Sequence, residues 1–286
     1  DVELHGRLEP GKMFLVDMNE GRIVNDEEIK NKIVSQRPYK KWLKSNRLHL
    51  KDVPYIESTC TIETIDVKTR QRLFNYTIED IQEVITPMAQ NAKEALGSMG
   101  IDTPLAVLSD RPQLISNYFK QLFAQVTNPP LDGIREEIVT DISLSLGQDR
   151  NVFDITEEQC HKLKIQNPVI SNADLEKIRN ISIKHFKAET ILIHYPKLKG
   201  VNGLEDALER LVTSVEKAID SGVNIIILSD RGVNQENAPI PSLLACSYVH
   251  HQMNRLRKRS FFVFFLECAE PREPHHFASL FGYGVS

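Results

Sequence analysis

The chain has 286 residues, 41% of them hydrophobic, which suffices for one large domain or two smaller ones around a substantial core and makes disorder the wrong starting assumption. A formal charge of -4 and a pI near 6.2 leave no global field for a phosphate backbone, so nucleic acid is disfavoured as a partner. No run reaches the roughly 18 apolar residues of a membrane span, and Asp1-Val2-Glu3-Leu4-His5 lacks a secretory pattern, so the expectation is a cytoplasmic protein without a membrane partner.

The opening residue is Asp1 rather than Met, which points to an excised piece or a processed product. Gly11-Lys12-Met13-Phe14-Leu15-Val16-Asp17 reads as a strand, Asn19-Glu20-Gly21-Arg22 as a turn and Ile23-Val24 as a second strand, a hairpin too small to stand as a domain. Asp26, with Glu27 and Glu28 behind it, is the expected cap and acidic first turn of a helix. Residues 38–70 are mixed, with an aromatic and basic cluster at Tyr39-Lys40-Lys41-Trp42-Leu43 and a Thr-rich patch at 58–64, and read as a connector anchored by Trp42. Thr77-Ile78-Glu79-Asp80 resembles a cap before a helix at 81–85, and Pro87 opens another to about residue 96. The apolar run Leu105-Ala106-Val107-Leu108 is expected to be a buried strand ending at Ser109-Asp110, followed by helices over 114–123 and 134–146, the second stopped by Gly147.

Between those helices lies the most restricted backbone of the chain. Asn128 precedes Pro129 and Pro129 precedes Pro130, so both are pushed out of helical geometry and the first helix must stop near Val126. Asp132 is placed to cap a new helix at about Gly133, and Glu136 and Glu137 suit the positive end of its dipole. A stiff elbow between two helices is expected.

The second half alternates more regularly. Strands are expected at 190–194, 223–228 and 261–266, with helices over 203–220, 240–256 and 274–281. Near-continuous apolar strands joined by helices imply parallel pairing with both faces covered, hence an α/β fold, either layered or an incomplete barrel of about four strands.

Functional loops in such folds follow the strand C-termini, which singles out Ser109-Asp110-Arg111 and Ser229-Asp230-Arg231. Asp110 and Asp230 are candidate acids; a structural ion pair with the adjacent Arg, or a helix cap, is the competing account. His250-His251 and His275-His276 are adjacent pairs, so on a helix each pair diverges by about 100° and neither forms the i, i+4 arrangement of a metal site. Cys60, Cys160, Cys246 and Cys268 are scattered without zinc or iron–sulfur spacing and read as reduced and buried, and Cys268, with no clear base nearby, as structural. Gly97-Ser98-Met99-Gly100 lacks the spacing of a nucleophile elbow, Gly282-Tyr283-Gly284 follows a helix rather than a strand, and no phosphate-binding Gly pattern is present, so flavin and nucleotide binding within these residues is unsupported. The basic cluster Arg255, Arg257, Lys258 and Arg259 reads as a helix end.

Gln125-Val126-Thr127-Asn128-Pro129-Pro130-Leu131-Asp132 followed by Arg135-Glu136, with Ser109-Asp110-Arg111-Pro112-Gln113-Leu114 upstream, closely resembles the central domain of glutamate synthase. The resemblance continues in Asp230-Arg231-Gly232-Val233-Asn234, in Ala238-Pro239-Ile240-Pro241-Ser242-Leu243-Leu244-Ala245 and in Glu270-Pro271-Arg272-Glu273-Pro274-His275-His276-Phe277-Ala278. Separated blocks in the family's order are far less open to chance than one short motif. Leu131 stands where the family commonly has another aliphatic residue.

The resemblance implies that residues 1–35 are the tail of a class II glutamine amidotransferase domain, 36–70 a connector and 71–286 the central domain. It implies a non-catalytic scaffold, without cofactor of its own, that separates a glutaminase domain from an FMN-binding synthase domain and walls part of an ammonia tunnel. The parent enzyme would carry FMN and an iron–sulfur cluster, make two L-glutamates from L-glutamine and 2-oxoglutarate, and draw electrons through ferredoxin or a reductase subunit. On that reading Thr127, Asn128 and Pro129 line or support the tunnel and Arg135 and Glu136 brace it, while Asp110, Asp230 and Arg231 organise loops beside it. The alternative is a free-standing barrel-like enzyme with its site near Asp110 and Asp230.

Overall fold

A computed structural model describes residues 2, 5–56, 65–95, 104–121, 123 and 126–286; Cys60, the Thr-rich patch at 58–64 and Gly97-Ser98-Met99-Gly100 lie outside the described residues. The chain begins with the expected antiparallel hairpin, β1 (Leu15–Asp17) and β2 (Arg22–Val24), in the register Leu15 to Val24. α1 (Asp26–Val34) follows, capped at Asn25 rather than Asp26. Asp26 instead accepts a hydrogen bond from the Met13 N–H at 2.8 Å, which ties the helix to the segment leading into β1, and pairs with Lys30 at 2.7 Å.

The basic and aromatic cluster of the connector is helical, α2 (Tyr39–Asn46), with half-buried Trp42 set edge-on to Tyr39. β3 (Leu48–His49) and α3 (Val67–Leu73) come next. Thr77 and Asp80 cap each other: the Thr77 hydroxyl accepts from the Asp80 N–H at 3.0 Å and the Asp80 carboxylate accepts from the Thr77 N–H at 2.9 Å. The chain then passes through a π-helical turn into α4 (Thr86–Asn91), which ends sooner than expected.

Between 104 and 146 three expected elements differ. Residues 105–108 form no strand; Ala106–Leu108 is a 3₁₀ turn with Val107 and Leu108 exposed. A four-residue apolar run carries no period of its own and becomes a strand only where a partner edge is free. The helix over 114–123 reduces to a 3₁₀ turn, Ile115–Phe119. α5 (Gly133–Val139) stops well before residue 146, because Val139, Thr140 and Ile142 are β-branched and the Asp141 carboxylate turns the backbone by accepting from the Ser143 N–H at 2.8 Å. Residues near the expected helix end form β4 (Leu144–Leu146) instead, paired antiparallel with β5 (Leu163–Ile165), whose other neighbour is the parallel β3.

The remaining order is α6 (Asn172–Arg179), β6 (Ala188–Leu192), β7 (His194–Pro196), α7 (Gly200–Asp220), β8 (Ile225–Ser229), β9 (Asn237–Pro239), α8 (Ser242–Arg255), β10 (Val263–Glu267) and α9 (Pro274–Gly282). β6, β8 and β10 form a parallel sheet in the order β10-β8-β6, and it does not close into a barrel. Three parallel strands are joined, rather than about four, since residues 105–108 are not among them.

β8 is central and its Ile225, Ile226, Ile227 and Leu228 are buried to within 1%, as an all-apolar strand requires. Alternate side chains enter different layers. Ile226, Leu228 and Phe264 meet α7, α8 and α9; Ile225, Ile227, Val263 and Phe265 meet α6 and the small sheet of β3, β5 and β4. α7 presents Ala207, Leu208, Leu211, Val215 and Ala218 to the first layer at helical spacing, and a Cβ on Gly203 would come within 2.5 Å of the Lys199 Cβ. Among the described residues no helix is long and apolar enough to cross a membrane.

Two members of the basic cluster at the end of α8 are absorbed structurally. Lys258 pairs with Glu216 at 2.9 Å and Asp220 at 2.7 Å on α7, and Arg259 stacks over Phe262 and Phe264 while donating to the Gly284 carbonyl at 2.8 Å. Gly284 has φ 106°, and a Cβ there would lie 2.2 Å from His250 Nδ1, so this glycine serves a close approach rather than a nucleotide loop.

Candidate functional site

The C-terminal ends of β8 and β10 carry the polar groups of the parallel sheet. Glu267 closes β10, and its carboxylate accepts from Arg179 at 2.8 Å, from the Ser229 hydroxyl at 2.6 Å and from the Arg231 guanidinium. Arg179 also donates to Thr190 at 2.6 Å and pairs with Glu176 at 2.9 Å. Burial acts to raise the Glu267 pKa, yet the bonds from Ser229, Arg231 and Arg179 outweigh it and hold the group below its ordinary value. Arg231 therefore pairs with Glu267, not with Asp230 beside it in sequence.

Asp230 is 8% exposed and accepts the Ala269 N–H at 2.7 Å, while its own N–H bonds to the Glu267 carbonyl at 3.1 Å. Burial pushes its pKa up to about 6 from 3.8, against the lowering effect of the Ala269 bond. Between those two values the folded chain holds a proton that the unfolded chain has lost, so this group's contribution is favourable below pH 3.8 and disappears as the pH rises through 6. Asp230→Asn keeps an acceptor for Ala269 and removes the titration. Relative to the unaltered chain, the variant is expected to gain on the order of 2 kcal/mol in urea-unfolding stability between pH 4 and pH 7.5; a pH-independent difference would contradict it.

A clamp extends from Asp230 to the residues just after α3. The Ala269 carbonyl accepts from the Tyr76 hydroxyl at 2.6 Å, and the Arg272 guanidinium stacks over the Tyr76 ring at 4.2 Å. Arg272, 7% exposed, also donates to the Asn75 carbonyl at 2.9 Å and pairs with Asp80 at 3.1 Å, leaving its Nε buried and unpartnered. Glu267, Arg179, Tyr76 and Arg272 escaped the sequence reading. The available sign was a charged residue ending an apolar strand; the partners lie 88 and 36 residues from Glu267 along the chain.

Asp110 is not at a strand end. It sits exposed after the 3₁₀ turn, and no hydrogen bond or ion pair joins it to Asp230 among the described residues. Its neighbours Ser109, Arg111 and Gln113, with Asn117, face Glu273 and His276 across a cleft of about 430 Å³. Glu273 is held down to about 2 by the hydrogen bond from His276, at 3.2 Å, with Lys120 adding at 3.7 Å.

The Thr127-Asn128-Pro129-Pro130 elbow is exposed and none of residues 127–136 lines that cleft. Asp132 caps α5 by accepting from the Ile134 and Arg135 N–H groups at 3.0 and 2.8 Å, and Arg135 reaches back to the Pro130 carbonyl at 3.0 Å. The Glu136 carbonyl accepts from the Thr140 hydroxyl at 2.5 Å. Replacing Asp132 with Ala is expected to cost about 1 kcal/mol and to raise amide exchange across α5; an unchanged exchange pattern would show the cap to be idle.

These geometries frame the comparisons with known proteins. A family model described as the glutamate synthase central domain matches residues 69–286. The chain belongs to the glutamate synthase central domain family. A second model, class-II glutamine amidotransferases, matches residues 1–42. The chain is 44% identical over its full length to a glutamate synthase [NADPH] large chain of Bacillus subtilis (strain 168), and 36% identical over its full length to a ferredoxin-dependent glutamate synthase 2 of Synechocystis sp.. It is 39% identical, over 98% of its length, to a glutamate synthase [NADH] of Schizosaccharomyces pombe. It spans 18%, 18% and 14% of those relatives.

The cofactors that glutamate synthases imply do not fit the groups at the strand ends. Asp230, Glu267 and Glu270 place three carboxylates where a flavin phosphate would need donors, and Glu270 already accepts from the Ser242 N–H at 2.8 Å and from the Ser242 hydroxyl. Cys246 and Cys268 are pushed well above the ordinary thiol range by burial, the reverse of what thiolate ligation of a cluster needs. Among the described residues no three His, Cys, Asp or Glu side chains are grouped to hold a metal, and the adjacent histidines are bonded elsewhere: His250 to Arg259, His275 to the Ser116 carbonyl.

Proposed function

We propose that this domain is a non-catalytic partition within a glutamate synthase, linking a glutaminase domain to an FMN-binding synthase domain and contributing to the wall of the ammonia tunnel between them. The parent would form two L-glutamates from L-glutamine and 2-oxoglutarate in the cytoplasm, using FMN and an iron–sulfur cluster outside this chain and, for the pyridine-nucleotide type, a reductase partner. Residues 1–35 would be the amidotransferase tail, 36–70 the connector and 71–286 the partition.

The observation that carries the reading is at the strand ends. The acids and bases there are engaged with one another, Glu267 with Arg179, Arg231 and Ser229, and Asp230 with the backbone of Ala269, so this end of the sheet is a rigid plate. The elbow suits the wall of a path for a small neutral molecule because Thr127 and Asn128 offer uncharged polar groups on a backbone locked by two prolines. Ammonia in bulk water is largely protonated and no longer nucleophilic, so a protected route has a chemical reason.

The test uses the full-length enzyme. Asn128→Trp is expected to leave glutamine hydrolysis running while free ammonia accumulates and glutamine-dependent glutamate formation falls several-fold. If hydrolysis and synthesis stay matched in a folded variant, residue 128 is not at the path.

A further inference from the structure

The cleft of about 430 Å³ between the 104–120 stretch and the start of α9 plays no part in the partition reading, yet its volume is that of a small-molecule site. Three segments far apart in sequence meet there. The π-helical turn Asp80–Ile85 supplies Asp80 and Val84, residues 104–106 an apolar strip, and the start of α9 Glu273 and His276 beside Arg272. The nearly buried Arg272 and His276 form the deep side, and the exposed Arg111 and Lys120 the rim.

Fixed charges of both signs line this cleft. Arg111, Lys120 and Arg272 stand against two carboxylates, Asp80 and Glu273. His276 accepts the Arg272 N–H at Nδ1, 3.3 Å away, which places its proton on Nε2 toward Glu273 and leaves the ring neutral. One positive charge is therefore in excess. The pairing is also uneven: Asp80 is met by Arg272 at 3.1 Å and Glu273 by His276 at 3.2 Å, whereas Lys120 stands off Glu273 at 3.7 Å. Arg111 has no carboxylate partner among the described residues.

Neutral polar groups here are under-used as well. Asn117 donates to Gln113 at 3.4 Å and Gln113 to Ser109 at 3.3 Å, both long for a hydrogen bond, and the Arg272 Nε is buried without a partner. A plain dicarboxylate would meet the cations but also face Asp80 and Glu273, and a plain amine would face the excess positive charge. An acidic α-amino acid carries two carboxylates and one ammonium, one net negative charge, and answers both signs.

We propose that this cleft binds an acidic α-amino acid, with its carboxylates on Arg111 and Lys120, its ammonium on Glu273 and its short methylene body against Val84 and Leu105. The planar Arg111 guanidinium suits a two-pronged grip on one carboxylate, and the Gln113 and Asn117 amides supply further donors. Glu273, held down to about 2 by His276, keeps the charge that an ammonium needs. None of this depends on the domain lining an ammonia path.

Amide exchange of the full-length enzyme, read on peptides from 104–120 and 272–282, tests it with L-glutamate, L-aspartate and, lacking the ammonium, glutarate. Once L-glutamate or L-aspartate exceeds its Kd roughly tenfold, these peptides are expected to exchange about 10-fold more slowly, since openings that release the ligand are suppressed in that proportion. Glutarate is expected to slow them less than about 2-fold, and Arg111→Met to abolish the effect; Arg111 is exposed, so the fold survives its loss. No slowing in these peptides, or slowing confined to other parts of the enzyme, overturns the proposal. Equal slowing by glutarate overturns the amino-acid class, and slowing that persists in Arg111→Met overturns the site.

Discussion

Phe264→Ala is expected to destabilise the folded chain by about 4 kcal/mol, measured as a fall in the urea midpoint at constant slope. Phe264 is fully buried on β10, between the parallel sheet and the layer of α8 and α9, with the Phe262 ring 6.0 Å away and the Arg259 guanidinium 4.9 Å above it. Truncation removes the ring's transfer free energy, leaves a cavity that strands on a close-packed sheet cannot close, and strands a partly buried cation. Phe264→Leu should recover most of the loss. A fall below about 1 kcal/mol for the alanine variant would mean that this layer repacks freely, which contradicts a rigid plate.

Glu267→Ala is expected to cost about 3 kcal/mol, because it leaves Arg179 and Arg231 without the carboxylate that offsets their desolvation. Arg231 retains some contact with water, which keeps the figure at the lower end of the range for a broken buried pair. Replacing Glu267, Arg179 and Arg231 together by apolar residues of similar volume should restore much of the stability, as the penalty lies in unpaired charge rather than in a lost bond. The pH dependence has a definite sign. The folded pKa of Glu267 lies below its ordinary 4.5, so the group stabilises the fold above that value and its contribution is lost as the pH falls through the folded pKa. Alanine at 267 should therefore flatten the acid limb of the stability curve. An unchanged acid limb would assign the acid sensitivity to other carboxylates, Glu273 among them.

Much of the fold was legible because its signals are local. The hairpin at β1 and β2, the reciprocal cap of Thr77 and Asp80, the Asp132 cap and the alternation of β6, β8 and β10 with α7, α8 and α9 each rest on residues close in sequence. The failures share a different cause. Residues 105–108 read as a strand and residues 144–146 as the end of a helix, and in both cases the deciding factor was whether an edge such as that of β5 was free to pair. The sheet of β3, β5 and β4 was missed for the same reason: two- and three-residue strands carry no periodicity of their own. α6 was missed although it carries a local start signal, the Ser171 hydroxyl that accepts from the Asp174 N–H.

The candidate site divides along the same line. Sequence placed Asp230 and Arg231 at a strand end and assumed that neighbours in the chain would pair; the sheet instead gives Arg231 to Glu267 and Asp230 to Ala269. By itself the sequence determined the family, the α/β class, the absence of a global basic field and the restricted backbone at 128–130, because composition, proline geometry and ordered motif blocks do not depend on what comes into contact. Only the tertiary structure decided that Glu267 is the hub and that Tyr76 and Arg272 lock the residues just after α3 to the end of the sheet. Hydrogen bonds across 36 to 193 residues are made by packing layers together, and no local pattern encodes them.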